Sequence, residues 1–383
     1  MSLKDRIRKK GAGESEHQTA LFNKFGVVEN PFPAAGQPSG HPRLENDVDE
    51  KVGFDIQEFE TSHKTQILVI EGSQGVGKTN LLNYYQNELE DLYQDDKTCY
   101  IIRYYPDPEP SFDAIIRKVF QELGENHLRG MARKLSNLSR DEKSGIIDTA
   151  KNQELRLVLH KLAKSAESGD ADLETTSETA MEWLLGLRVL NKHKVLGVRF
   201  RLDTVESKTQ VLRDVVYVSV KLGILRGVFL LLDELEKQDY SLSTTPVVRY
   251  LSAIRALIDA LPTHLFLMTA LTPDARLRYF KMLPAIAGRL QNVYTLSSLK
   301  DEKDGLSLYS LYRDKARESA QLRLKVSSKG VKLNDIIDRE EIVKLFKELL
   351  QKSAQKGIQG VTQRDFLNEL YLRTQDRFKT IQI

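Results

Sequence analysis

Short apolar runs alternate along this chain with longer segments in which apolar residues recur every three or four positions. The short runs predict strands at about 66–70, 98–104, 227–233 and 264–270. The longest periodic segments predict helices at about 78–92, 205–222 and 247–260. Because strands alternate with helices, we expect an α/β fold in which helices cover both faces of a parallel sheet.

Shifts in sequence character suggest how the chain is organised. Lysine and arginine dominate residues 4–10, so residues 1–25 are expected to form a basic, flexible tail. Residues 26–300 carry the strand and helix pattern and are expected to form one nucleotide-binding core. Within it, residues 111–202 are mostly helical in pattern and form an insertion. Residues 301–383 are amphipathic and predict a C-terminal helical lid.

Composition narrows the class of protein. The chain has 383 residues, of which 40% are hydrophobic and 29% charged, as in soluble globular proteins. No apolar run approaches the roughly 18 residues that span a bilayer, so we expect a cytoplasmic protein without a membrane partner. A single cysteine excludes an intramolecular disulfide. The formal net charge is only +3, so any surface for nucleic acid must come from local clustering of charge.

The strongest chemical pattern is Gly-Ser-Gln-Gly-Val-Gly-Lys-Thr, which follows the first predicted strand and opens a predicted helix. It fits the phosphate-binding consensus G-x-x-x-x-G-K-[ST] in the strand–loop–helix context that the motif requires. A glycine turn without a ligand is the alternative. We predict that the segment binds the phosphates of ATP through Gly72, Ser73, Gln74, Gly75, Val76, Gly77, Lys78 and Thr79. Lys78 would reach the β- and γ-phosphates, and the Thr79 hydroxyl would hold Mg²⁺.

A second motif ends the third predicted strand, where four apolar residues precede Asp233 and Glu234. At the end of a central strand, Asp233 would approach Mg²⁺, and Glu234 would polarise an attacking water. The alternative is a strand that simply ends in acids facing the solvent.

Together these two motifs, Walker A and Walker B, resemble the AAA+ ATPases. The nearest branch is the origin-recognition-type group, which includes ATP-binding proteins of bacterial phage-defence (BREX) loci and regulators of transposition. The segments Glu182-Trp-Leu-Leu-Gly186 and Leu196-Gly-Val198 are similar to the BREX-type proteins in particular.

The resemblance implies roles for further residues. Thr269 ends the strand after Walker B, where the family has its polar first sensor. Arg289 lies in a segment that resembles the one carrying the arginine finger, and Arg364 lies in one that resembles the lid helix with the second sensor. The loop that walls the adenine is implied at Asn30, Pro31 and Phe32. A strand cap, a surface arginine and a salt bridge are the alternatives for Thr269, Arg289 and Arg364.

These features predict an enzyme that binds and hydrolyses ATP with Mg²⁺ at a subunit interface. Hydrolysis would drive the assembly or remodelling of a protein–DNA complex in phage defence, with a homo-oligomer and proteins of the same system as partners. Duplex DNA could contact the basic stretches Lys4–Lys10 and Arg313–Lys332, although such runs are more often solvated surfaces. The alternatives are a nucleotide-gated switch or scaffold, a transposition-regulator ATPase that assembles on DNA, and a non-enzymatic DNA-binding adaptor.

Overall fold

The computed structural model describes residues 17–34, 42–104, 112–233, 244–325, 333–355 and 357–380. Glu234 and Lys4–Lys10 lie outside these ranges, so their predicted roles stay predictions. The contacts of the chain form two compact units. The sheet unit comprises Val48–Glu71 and Tyr84–Tyr294. The helical unit comprises Met1–Asp47, Gly72–Asn83 and Thr295–Ile383.

In the described part of the chain, five strands form one sheet in the order β2-β3-β4-β1-β5. They are β1 (Gln66–Glu71), β2 (Cys99–Tyr104), β3 (Gly227–Leu232), β4 (Leu265–Leu271) and β5 (Val293–Thr295). The pairs β2–β3, β3–β4 and β1–β4 are parallel. Every residue of β3 and β4 is buried, as their continuous apolar runs predict. The predicted α/β fold with a parallel sheet is therefore confirmed.

Helices precede and follow these strands. The sheet unit holds α2 (Asp47–Ser62), α4 (Phe112–Ser136), α5 (Arg140–Ile147), α6 (Gln153–Ser168), α7 (Asp170–Leu184), α8 (Val205–Lys221), α9 (Thr244–Ala260), α10 (Pro273–Met282) and α11 (Pro284–Ala287). Helix α3 (Lys78–Leu92) follows the predicted phosphate-binding loop, and a 3₁₀ turn covers Asn191–Leu196. Side chains that accept backbone N–H groups start several helices, as Asn152 does for α6 and Thr204 for α8.

The segment between the second and third strands is helical, as predicted, and its helices share the hydrophobic core of the sheet. On α6, Leu155, Leu159 and Leu162 face inward and belong to the same buried cluster as Leu230 of β3. Trp183 near the end of α7 is fully buried, and its indole N–H donates to the Phe200 carbonyl 3.0 Å away. Trp183 thus fixes the end of α7 against the segment that leads into α8.

The helical unit has a core of its own. It contains α1 (residues 17–25), α12 (Glu302–Leu324), α13 (Arg339–Gln355) and α14 (Gln363–Lys379). Phe346 and Phe366 pack edge to face, with ring centroids 5.8 Å apart. A Cβ at Gly305 would lie 2.8 Å from the Phe346 ring, so α12 and α13 approach closely only because this position is glycine. The helical character predicted for the C-terminal segment is confirmed.

No helix among the described residues combines the length and hydrophobicity needed to cross a bilayer.

Candidate functional site

The predicted phosphate-binding loop has a backbone that only glycine readily adopts. It begins after Glu71, the last residue of β1, and ends where α3 begins at Lys78. Gly75 and Gly77 have φ angles of +84° and +103°, in the left-handed region that side chains disfavour. A Cβ at Gly72 would lie 2.8 Å from the carbonyl oxygen of Leu296. The glycines of the motif are thus required by the local geometry.

The loop presents donors from which a phosphate could accept hydrogen bonds. The Lys78 ammonium is folded back over the loop, 2.8 Å from the Gly72 carbonyl and 3.2 Å from the Ser73 carbonyl. Thr79 lies in the first turn of α3, where the helix dipole and backbone N–H groups favour an anion. Ser73 and Gln74 are exposed, whereas the Val76 side chain is buried. These residues fit a nucleotide phosphate group.

The N-terminus of α14 contacts this loop within the helical unit. The Arg364 backbone N–H donates to the Gly75 carbonyl at 3.0 Å, and Thr362 caps the helix by accepting from the Asp365 N–H at 3.1 Å. A Cβ at Gly77 would lie 2.8 Å from Oε1 of Gln363. The structure therefore brings the phosphate loop and Arg364 together, and it adds Thr362 and Gln363, which sequence reasoning missed.

The Arg364 side chain is exposed and forms no ion pair within the described ranges. A guanidinium in that state, beside a loop that offers backbone donors, is suited to a phosphate.

Two predicted residues lie close together in the sheet unit, where β3 ends; Thr269 does not end its strand as predicted, since β4 continues to Leu271. Asp233 directly follows Leu232, whose partner across the β3–β4 pair is Thr269. Both side chains are buried, with 1% of Asp233 and 2% of Thr269 exposed. The Thr269 hydroxyl has no hydrogen-bond partner among the described residues. Burying such a group costs about 1–3 kcal/mol, so its retention favours a role with a ligand or water.

Arg103 of β2 binds the Asp233 carboxylate, which the sequence analysis did not foresee. Its Nη2 lies 2.7 Å from Oδ2 of Asp233, and the two side chains are only 4% and 1% exposed. The signal was an arginine in an otherwise apolar strand, but its partner depends on strand register. Carboxylate oxygens are the donors that Mg²⁺ prefers, so Asp233 fits a metal ligand. In the described ranges, no three or more acidic, histidine or cysteine side chains are grouped so that they could hold a metal ion.

Arg289 is paired within its own chain. Its guanidinium makes a two-pronged contact with Asp259, at 3.0 Å to Oδ1 and 3.3 Å to Oδ2. Both side chains are more than a third exposed, so this pair contributes little to stability and can exchange partners. The predicted role as an arginine finger stays a prediction.

The predicted adenine loop is anchored in the helical unit. Asn30 donates to the Tyr371 carbonyl at 3.0 Å and accepts from the Phe32 N–H at 3.1 Å. The Phe32 ring is buried and stacks on Tyr309, with centroids 5.5 Å apart. Pro31 is half-buried. The contact of this loop with adenine stays a prediction.

The basic stretch from Arg313 uses several of its charges internally. Arg313 pairs with Asp314 and Asp335, and Arg317 donates to the carbonyls of Phe25 and Asn334. Residues 326–332 lie outside the described ranges. DNA contact by this stretch stays a prediction.

Comparison with known proteins identifies the family. A family model described as "BREX system ATP-binding protein BrxC/D" matches residues 110–380. This chain belongs to that family. The resemblance to BREX-type ATP-binding proteins is therefore confirmed, and the matched range includes the Walker B strand, Arg289 and Arg364.

Two further comparisons add little. No curated protein sequence matches the chain. Among solved structures, the chain is similar to the ORC2 protein of Aeropyrum pernix, solved in ADPNP and ADP complexes. The sequence identity is 11% and the TM-score 0.41, over 89% of this chain and 70% of the ORC2 chain.

The buried hydroxyl of Thr269 allows a stability test. Replacing Thr269 with Val removes a polar group that lacks a partner among the described residues, so the free energy of unfolding should stay unchanged or rise by about 1 kcal/mol. Thr176 is the matched control, since its buried hydroxyl lies 2.8 Å from that of Ser165. Thr176→Val should lower stability by about 1 kcal/mol or more in the same denaturation experiment. A larger loss for Thr269→Val than for Thr176→Val would show that Thr269 is satisfied structurally.

Proposed function

We propose that this BREX-family protein is an AAA+ ATPase that hydrolyses ATP with Mg²⁺. The observation that carries the proposal is the contact between Gly75 of the phosphate loop and the first turn of α14, which also presents Arg364. In this arrangement backbone N–H groups of the loop bind the phosphates, Lys78 neutralises them, and Arg364 adds a second positive charge. The family description supports nucleotide binding, and hydrolysis is our extension of it.

The hydrolytic step is assigned to the strand-end residues. The resemblance pairs the phosphate loop with Walker B, so we take Thr79 and Asp233 as the residues that hold Mg²⁺ through oxygen ligands. The metal, when bound, neutralises charge on the transferring phosphoryl group. Glu234 accepts a proton from the attacking water, and the Thr269 hydroxyl donates to that water or to the γ-phosphate.

Arg289 is proposed to act on the nucleotide of a neighbouring subunit. Its exposed pair with Asp259 is weak enough to open, and a free guanidinium would then stabilise charge on the γ-phosphate. This role requires a homo-oligomer.

The setting is a BREX phage-defence system in the cytoplasm, with other proteins of that system as partners. Turnover would drive assembly or remodelling of a complex on DNA. We assign the contact with DNA to the basic residues of Lys4–Lys10 and of the segment after Lys325, since Arg313 and Arg317 are already bound within the chain.

Substitutions at Lys78 and Glu234 should affect ATP binding and ATP hydrolysis separately. Lys78→Ala should weaken ATP binding by about 100-fold, because it removes charge-assisted contacts to the phosphates. Glu234→Gln should bind ATP as the wild type does but hydrolyse it about 100-fold more slowly, because the basic carboxylate is lost. Calorimetric titration gives the affinities, and phosphate release gives the turnover.

The matched control is Lys97→Ala, which removes an exposed lysine remote in sequence from both motifs and should change neither quantity. Wild-type affinity in folded Lys78→Ala protein would exclude the phosphate-loop assignment. Tight ATP binding by the wild type without any turnover would favour the nucleotide-gated switch.

Arg289→Ala should leave ATP binding intact but slow hydrolysis by about 100-fold or more, as expected when an arginine finger is lost. Mixing it with Glu234→Gln protein should restore part of the activity, since each variant supplies the half of the interface that the other lacks. Asp259→Ala is the control, because it breaks the same ion pair and keeps Arg289. A loss of activity in Asp259→Ala equal to that in Arg289→Ala would mean that the pair is structural.

A further inference from the structure

Arg103 occupies the carboxylate that the proposed function assigns to Mg²⁺. The Nη2 group of Arg103 lies 2.7 Å from Oδ2 of Asp233, and neither side chain is more than 4% exposed. The backbone reinforces this placement, because the Asp233 N–H donates to the carbonyl of Tyr104, the residue after Arg103, at 3.2 Å. Parallel pairing of β2 with β3 sets Arg103 opposite Leu231 and Tyr104 opposite Leu232. The two strands therefore hold the guanidinium and the carboxylate in register.

A buried carboxylate needs a compensating positive charge, since desolvation of an unpaired ion is costly. Arg103 supplies that charge without any metal. A divalent cation that binds Asp233 meets a carboxylate with one oxygen already engaged and a fixed positive charge next to it. In a buried environment the repulsion between two such cations is strong, because little water screens it.

We propose that Arg103 is a positioning residue that competes with the divalent metal for Asp233. This inference rests on the proposed function and deepens it. The competition weakens the binding of a metal that has only protein ligands. A metal that arrives with a nucleotide brings additional phosphate ligands, which offset the repulsion. Arg103 thereby limits how much the metal adds to nucleotide binding.

Competition by Arg103 and structural support by Arg103 predict opposite changes in the metal contribution to nucleotide binding when Arg103 is removed. If Arg103 only supported the strand ends, its removal would loosen Asp233 and weaken the metal contribution to nucleotide binding. If Arg103 competes, its removal strengthens that contribution, even though the nucleotide-free protein becomes less stable. A gain in metal coupling cannot result from partial unfolding.

The test measures the metal coupling as the ratio of two dissociation constants for ADP, one in EDTA and one in Mg²⁺. Calorimetric titration of ADP into the full chain gives both values, and effects on nucleotide binding alone cancel in the ratio. Arg103→Met should raise the ratio about tenfold over wild type. Arg103→Lys keeps a charge but offers a single ammonium in place of the planar fork, so it should raise the ratio about threefold. Because Arg103→Lys retains a buried cation, it also decides the question if Arg103→Met does not fold.

Two controls isolate the interaction. Arg226 bridges the amino-terminal ends of the same two strands, with its Nη1 2.9 Å from Asp96, which precedes β2. Arg226→Met removes an ion pair between the same strands and should leave the ratio at the wild-type value. In an Asp233→Asn background, Arg103→Met should no longer raise the ratio, since the contested carboxylate is absent.

The outcomes separate the two claims. An unchanged or lower ratio in Arg103→Met, or in Arg103→Lys should the first variant fail to fold, overturns the competition and leaves the proposed function intact. A wild-type protein that binds no ADP in either buffer overturns the proposed function, and the inference falls with it. An increase in Arg226→Met as large as that in Arg103→Met also overturns the competition, since Arg226 pairs with Asp96 and not with Asp233.

Discussion

The contact between the start of α14 and the phosphate loop is the interaction on which the candidate nucleotide site depends. The Gly75 carbonyl accepts from the Arg364 N–H while its backbone lies at positive φ, so the loop conformation and the placement of α14 are determined together. A side chain at Gly75 would lie 3.2 Å from Cβ of Arg364, which leaves room for glycine alone without adjustment. The loop and the second-sensor candidate therefore belong to one structural element of the helical unit.

In the sheet unit, the residues where β3 ends differ in whether their buried polar groups have partners. Asp233 is buried with Arg103, whereas the neighbouring Thr269 hydroxyl lacks a partner among the described residues. A fully satisfied strand end would be more stable, and a buried hydroxyl without a partner is a cost that structure alone does not explain. Both features are consistent with residues arranged for a ligand, since an arginine holds the carboxylate in place and the hydroxyl has no partner among the described residues.

Much of the fold could be predicted because its signals are local. The apolar runs fixed the four longer strands to within a residue or two, and helix α3 begins and ends where the pattern predicts, at Lys78 and Leu92. The three-residue β5 was missed because so short a segment carries no periodicity. Residues 130–175 are charged and gave only weak periodicity, yet Leu155 and Leu162 prove to be core residues. The positions of the inward-facing residues become clear only once the helix boundaries are known.

The candidate site could be predicted where a sequence motif specifies its residues, and not where strand register brings them together. The glycines of the loop, Lys78 and Asp233 follow from two sequence motifs. The pairing of Arg103 with Asp233 depends on the alignment of strands separated by more than a hundred residues, and no local pattern encodes it. Arg364 could be singled out by resemblance alone, but its backbone contact with Gly75 could not. Long-range contacts of this kind distinguish the candidate site of this chain from what its sequence motifs describe.

The central claim is that the loop and the start of α14 together bind a nucleotide. Hydrogen–deuterium exchange on addition of Mg²⁺ and ADP tests it most directly, because it reports every segment that a nucleotide protects. We expect slower exchange in peptides that cover residues 72–83 and 361–366 together, since the loop and the start of α14 would bind the same phosphates. The exposed start of α7, at residues 170–175, should be unaffected. Protection of the loop without the start of α14, or of neither, would contradict the account.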